Sequence, residues 1–178
     1  MNSKIPSSPV LEKLPDLSRR VAEKLIGYAR EAIRAGQEIR GSMFVLLGNE
    51  IVHGDMDLKK NTREMFYKGT AHQVLKCPPD LLMMFTEVWT KTVKGKDPPE
   101  YCPPLKGGDP GVGESLVIIL WSPDVEGIGY VDIKRTSIGS YTEDPSWMSV
   151  EDAGGLLVED FFDTIRKGRA QHGISEDS

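Results

Sequence analysis

The run SLVIILW, Ser115 to Trp121, constrains the fold more than any other stretch of the chain. It has no polar residue after Ser115, and three of its members, Val117, Ile118 and Ile119, are β-branched. Successive strand side chains point to opposite faces, so a strand apolar at every position needs cover on both sides. The run therefore predicts a central strand with layers above and below. At 178 residues, 39% of them hydrophobic, the chain is long enough to build one such domain.

Around that strand the elements are read from periodicity and punctuation. Residues 1–15 carry prolines and serines without periodicity and are expected to form a flexible tail. Asp16 offers an N-cap for a helix on which Leu17, Val21, Leu25, Ala29 and Ile33 form the apolar row, with Gly36 as its stop. SMFVLL and EIVHG flank Gly48-Asn49, a pair suited to a type II′ hairpin turn. A second helix is expected from near Asp57, with Leu58, Met65, Phe66 and Val74 on one side. It ends at Cys77-Pro78-Pro79, because a residue before proline is pushed out of the helical region. DLLMMFTEVWTKTV reads as a third strand. A loop rich in proline and glycine follows, residues 94–114, long enough to raise the question of a function. GIGYVDIKR follows the central strand by a hairpin, then comes an irregular stretch with Trp147 and a last helix in LLVEDFFDTIRKG. Residues 169–178 are expected to be a second flexible tail. The expected fold is a single α+β domain over 16–168: a mostly antiparallel five-stranded sheet in the order α-β-β-α-β-β-β-α.

That order of elements resembles the roadblock, longin and profilin-like domains, and more loosely the PAS and GAF sensors. The segment from Met43 to Leu120 also resembles a group of small uncharacterised bacterial and phage proteins. It shares with them an MFVLLGNEIVHG-type hairpin, a following helix, a TEVW strand and a polar loop leading to ESLVIIL. The resemblance covers under half of the chain. It implies that the Glu87–Trp89 strand and the loop after it belong together, and it brings no catalytic residue with it.

Charge narrows the partners. Twenty-seven acidic residues against 22 basic give a net charge of −5, without the basic excess usual in nucleic-acid binders. The most basic segment, Arg19 to Arg34, interleaves Glu23 and Glu31 and reads as a solvated helix face. No apolar run has signal-peptide or membrane-span length, so no membrane partner and a cytoplasmic location are expected, in a bacterium or a virus-infected cell. Two cysteines suit a reducing compartment.

The stretch GDPGVGES, Gly108 to Ser115, approaches the Walker A pattern, but Glu114 stands where the phosphate-binding lysine belongs. The loop also precedes a strand, whereas a phosphate loop follows one and opens a helix. It is a loop entering a strand. Cys77 and Cys102 each precede a proline pair, and a Cys-Pro loop can offer haem an axial thiolate. The dipeptide carries little specificity, so a thiol or haem contact stays behind the reading of ordinary loop prolines, and no cofactor is expected. His53, His72 and His172 show no ligand spacing with either cysteine, so no metal site is expected.

Glu87 is more informative. Alternation places Leu81, Met83, Phe85, Glu87 and Trp89 on one face of the third strand. A carboxylate between Phe85 and Trp89 is costly to bury unless paired or protonated. It is a candidate acid, base or ligand anchor of raised pKa. The plainer alternative is a charge bonded to Lys134 or Arg135, or one that guards a sheet edge. His53 and Asp132 are the nearest candidate companions, and a slip of one residue reverses the face of either. Trp89, Trp121 and Trp147 could line a pocket, against the commoner role of tryptophan in packing.

No nucleophile elbow, zinc-protease helix or dinucleotide fingerprint is present. The leading expectation is a non-enzymatic module that binds a protein partner or itself as a homodimer. The alternatives are a small-ligand sensor with Glu87, Trp89, His53 and Asp132 at its site, or a small enzyme using Glu87 as acid or base.

Overall fold

The computed structural model describes residues 8–56, 63–91, 112–148, 150 and 156–171. Within them the chain runs α1 (Pro9–Glu12), α2 (Asp16–Arg34), β1 (Ser42–Leu47), β2 (Glu50–Asp55), α3 (Arg63–Lys76) and β3 (Leu81–Lys91). It continues through β4 (Val112–Ser122), β5 (Val125–Thr136), β6 (Gly139–Thr142), β7 (Ser146–Met148) and α4 (Leu156–Gln171). This is an α+β fold with an antiparallel sheet in the order β2-β1-β3-β4-β5-β6, and β7 lies beside β5. Seven strands thus stand, among the described residues, where five were expected. The extra two come from the stretch read as irregular. Its strands are only four and three residues long, too short to show periodicity.

β4 is central and covered on both sides. Leu116, Ile118 and Leu120 enter one core with Leu81, Met83, Phe85 and the α2 residues Ile26 and Ile33. Val117, Ile119 and Trp121 enter a second core with Tyr67 and Val74 of α3 and Phe161, Phe162 and Ile165 of α4. Each of the fully buried Leu and Ile side chains of β4 is worth about 1.5–3 kcal/mol relative to exposure. The strand is therefore the keel of a three-layer structure. β2 and β3 flank β1 and both run antiparallel to it, so α3 is the crossover between two parallel strands.

Both turns around α2 and β1 follow from glycine. Gly36 (φ 79°) lets Gln37 N–H reach the Ala32 carbonyl and Gly36 N–H reach that of Ile33, each at 2.9 Å, which closes α2 with a Schellman motif. Gly48 (φ 60°) precedes Asn49, whose φ is not positive, the combination of a type II′ turn.

The helical rows are shifted from expectation. The buried stripe of α2 is Ser18, Ala22, Ile26, Arg30 and Ile33, and Leu17 is exposed. Two polar residues can occupy it because both are bonded: Ser18 Oγ donates to the Asp80 carbonyl (3.4 Å), and Arg30 pairs with Asp144 (2.8 Å). On α3 the buried face is Tyr67, Ala71 and Val74, while Met65 is 74% exposed. Leu58 lies outside the described residues.

The tail expectations also need correction. Leu11 and Leu14 are buried, so structure begins by Ser8, which caps α1 by accepting from Val10 N–H. At the other end Arg169 belongs to α4, and its guanidinium lies over the Trp121 ring at 5.4 Å. Trp147 packs across Gly127 and Gly129 of β5, where a Cβ on Gly129 would stand 3.3 Å from its ring. No described helix is long and apolar enough to cross a membrane.

Candidate functional site

Where the α2-side core ends, three strands each add one charged residue in the next inward-facing position. β3 goes from Phe85 to Glu87, β4 has Glu114 before Leu116, and β5 goes from Ile133 to Arg135. The pairing register sets them on a diagonal, and Arg135 joins the two carboxylates. Its Nη2 donates to Glu87 Oε2 at 2.7 Å, and its Nε donates to both Glu114 oxygens at 2.9 and 3.1 Å. The side chains of Glu87, Glu114 and Arg135 are 7%, 16% and 32% exposed, so the cluster is largely desolvated. It carries one net negative charge.

The other Glu87 oxygen is also engaged. Ile39 N–H, in the connector between α2 and β1, donates to Oε1 at 2.7 Å, and Glu87 N–H donates back to the Ile39 carbonyl at 3.2 Å. Burial pushes the Glu87 carboxyl above the usual carboxylate range. The Ile39 N–H opposes that shift, the neighbouring Glu114 carboxyl adds to it, and Arg135 offsets it. Chemically the group is a latch between β3 and the connector that leads from α2 to β1. Acid–base work would first require release of Ile39 or Arg135.

The expected companions of Glu87 stand elsewhere. Asp132 is on the opposite face of the sheet, where it accepts from Ser115 Oγ at 3.1 Å. His53 shares the face of Glu87 but sits exposed on β2, stacked on Phe44 at 4.6 Å. Its register neighbour across β1 is Met83, four residues short of Glu87. Lys134 pairs with Glu143 instead of Glu87. Trp89 lies on β3 opposite Glu114, with its side chain outside the described residues. Cys77 is an exposed free thiol just after α3. Cys102, His172 and residues 94–111 of the long loop lie outside the described residues; positions 112–114 of that loop open β4 instead. Among the described residues no group of three or more His, Cys, Asp or Glu is placed to hold a metal ion. Glu114 is hidden as a partner in the sequence because it follows the glycine-rich stretch Gly108–Gly113 and reads as the end of the loop. Extending the alternation back from Leu116 would have put it beside Glu87. The Ile39 amide leaves no sequence signal.

A second feature lies at the β2 end of the sheet. α2 covers the centre of one face and α3 with α4 the centre of the other, and neither layer extends over β2. Five of its six residues are exposed, Ile51 and Val52 at 51% and 53%, and Leu47 before the turn at 43%. The two-residue turn makes Leu47 and Glu50 a hydrogen-bonded pair. The N–H and C=O groups of Ile51, His53 and Asp55 consequently face away from β1, and among the described residues no strand pairs with them. A hollow flanks β1 on each face. One of about 420 Å³ lies between α2 and the strand, floored by Phe44 and Phe85. The other, about 480 Å³, lies against α3 and is lined by Met43, Val45, Leu47, Met65 and Phe66. The opposite edge differs. β6 is four residues long, and its inward Ser140 and Thr142 are bonded to Arg135 and Arg30.

No protein family, no curated protein and no solved structure matches this chain.

Proposed function

We propose that the chain is a non-enzymatic interaction module whose docking element is the outer edge of β2. The observation that carries this reading is a six-residue edge strand with apolar side chains on both faces and, among the described residues, backbone groups that no other strand pairs. Soluble proteins commonly guard such an edge with Lys, Pro, a bulge or a covering segment. β2 has no Lys and no Pro, its register with β1 runs unbroken, and its two acidic residues sit only at its ends. A strand so presented adds another strand by main-chain hydrogen bonding, with side-chain hollows on either side to select it. The satisfied state of Glu87 and the separate positions of His53 and Asp132 favour this over an enzymatic reading.

The test is site-specific photocrosslinking of the full chain in the cells that produce it. A crosslinking amino acid at Glu50 on β2 should trap a covalent adduct, and one at the exposed Glu31 of α2 should not. No adduct from position 50, or equal adducts from both positions, refutes the reading.

A further inference from the structure

Resting on that docking role of β2, we propose that the partner is a second copy of this chain, joined by antiparallel β2–β2 pairing about a twofold axis at Val52. The edge itself narrows the occupant. It is exposed on both faces at once, with Ile51 and His53 on the α2 side and Glu50 and Val52 on the other. A single helix or an isolated peptide strand covers one face or neither. A partner that continues the sheet and brings a helix layer on each side covers both, and another copy of this domain has that construction.

The register follows from chemistry. Only Ile51, His53 and Asp55 offer outward backbone groups, so a twofold pairing must place two of these opposite each other. With the axis at Val52, Ile51 faces the partner's His53 and the reverse, which gives two hydrogen-bonded pairs. Val52 faces the partner's Val52 in a non-hydrogen-bonded pair, where side chains approach closest. Glu50 faces the partner's Gly54, so no like charges meet despite the net charge of −5 on each chain. With the axis at His53, Ile51 would instead face the partner's Asp55 carboxylate. With the axis at Ile51 the pairing shortens, because Asn49 is already in the turn.

A twofold axis normal to the sheet keeps like faces together. The α2 helices then flank one shared trough over Phe44 and Ile51, and the α3 helices flank another. Leu47, Val52 and the largely exposed Met65 border that second trough. The side chains that leave the single chain most exposed at this end are the ones that the pairing brings together.

Sedimentation velocity of the purified full chain should show a monomer–dimer equilibrium with a dissociation constant of about 1–100 µM, the weak range expected of a small interface. Val52→Lys should weaken it at least about tenfold, as an edge lysine opposes strand addition. Measured well below the dissociation constant, where both proteins are monomers, its circular dichroism and melting should match the wild type, because position 52 is half exposed. In a Cys77→Ser/Cys102→Ser background, Val52→Cys should oxidise to a disulfide dimer, since facing Cα atoms in such a pair lie about 4.5 Å apart, within disulfide reach. Glu31→Cys in the same background should not. A monomer at every concentration overturns the proposal, as does a dimer indifferent to Val52→Lys or a Val52→Cys chain that links no faster than the control. If the position-50 crosslink then carries the mass of a different protein, β2 still docks a partner and only its identity as a second copy is lost.

Discussion

Replacing Arg135 by Gln tests the carboxylate cluster most directly. The change leaves Glu87, 7% exposed, and Glu114, 16% exposed, facing each other without their shared cation. Breaking a fully buried pair by removing one partner costs about 3–5 kcal/mol. Arg135 is 32% exposed and Glu114 keeps some solvent, so the loss here should be about 2–3 kcal/mol at neutral pH. For a domain of this size that lowers Tm by about 4–12 °C. The pH dependence has a definite sign. Glu87 is already raised above its ordinary value of 4.5, by burial first, so its proton is held more tightly in the folded chain than in the unfolded one. Such a group contributes stability in full below the unfolded value, and that contribution fades as pH rises through the folded value. Without Arg135 the folded value climbs further, so the deficit of the variant should be widest at pH 7.5 and narrow toward pH 4. Glu87→Gln should rescue it, since the Gln carbonyl can still accept from Ile39 N–H and its amide can donate to Glu114. Urea unfolding of the wild type, both single variants and the double variant at pH 4, 5.5 and 7.5 provides the comparison. A loss under about 0.5 kcal/mol, a loss independent of pH, or strictly additive single effects would refute the argument.

Two further substitutions probe the layers. Arg30, buried in the α2 stripe, should tolerate Met within about 1 kcal/mol, because its stem already packs as a hydrocarbon and its charge is costly to desolvate. Asp144→Ala should cost more, about 1–3 kcal/mol, by leaving that guanidinium unpaired; chemical denaturation ranks the two. At Gly168 of α4 an added Cβ would lie 2.3 Å from Leu75 Cδ1 and 3.2 Å from its Cγ, so Leu75 must be displaced. Gly168→Ala should therefore destabilise by about 1–2 kcal/mol despite the better helix propensity of Ala, and a raised melting temperature would contradict the close α3–α4 contact.

The elements that the sequence announced are those whose local signals and burial agree. The apolar run of β4 needed two covered faces and has them, and the Gly48-Asn49 turn set the β1–β2 register. The cysteine-proline boundary ended α3 within a residue of its place. The misses share a physical cause, which is that partners lay far away in sequence. Arg30 looked like a surface cation until Asp144, 114 residues on, made its burial tolerable. Asp132 looked like a companion to Glu87, but strand parity sends it to the other face, toward Ser115. Leu11 and Leu14 carried no periodicity because a four-residue helix is too short to display any. Glu87 itself was legible as a carboxylate that needed partners. Alternation named its face, while the Ile39 amide could only come from tertiary structure.

The latch and the bare edge are mechanically connected. Glu87 holds Ile39 just before β1, through the pair of hydrogen bonds it makes with that residue. Asp80, just before β3, holds the far end of the hairpin: its Oδ2 accepts from Gly48 N–H at 2.6 Å and its N–H donates to the Leu46 carbonyl at 3.0 Å. Two carboxylates flanking one strand thus clamp both ends of β1, and β2 rides on β1 through an unbroken register. A half-covered hairpin at the rim of a sheet would otherwise be among the first parts of the fold to open. Clamped, it holds Ile51, Val52 and His53 in line, and under the proposed docking role the ordering cost of pairing would largely be met within the free chain. The clamp ties the desolvated charge of Glu87 on β3 to the apolar edge strand two positions away across the sheet.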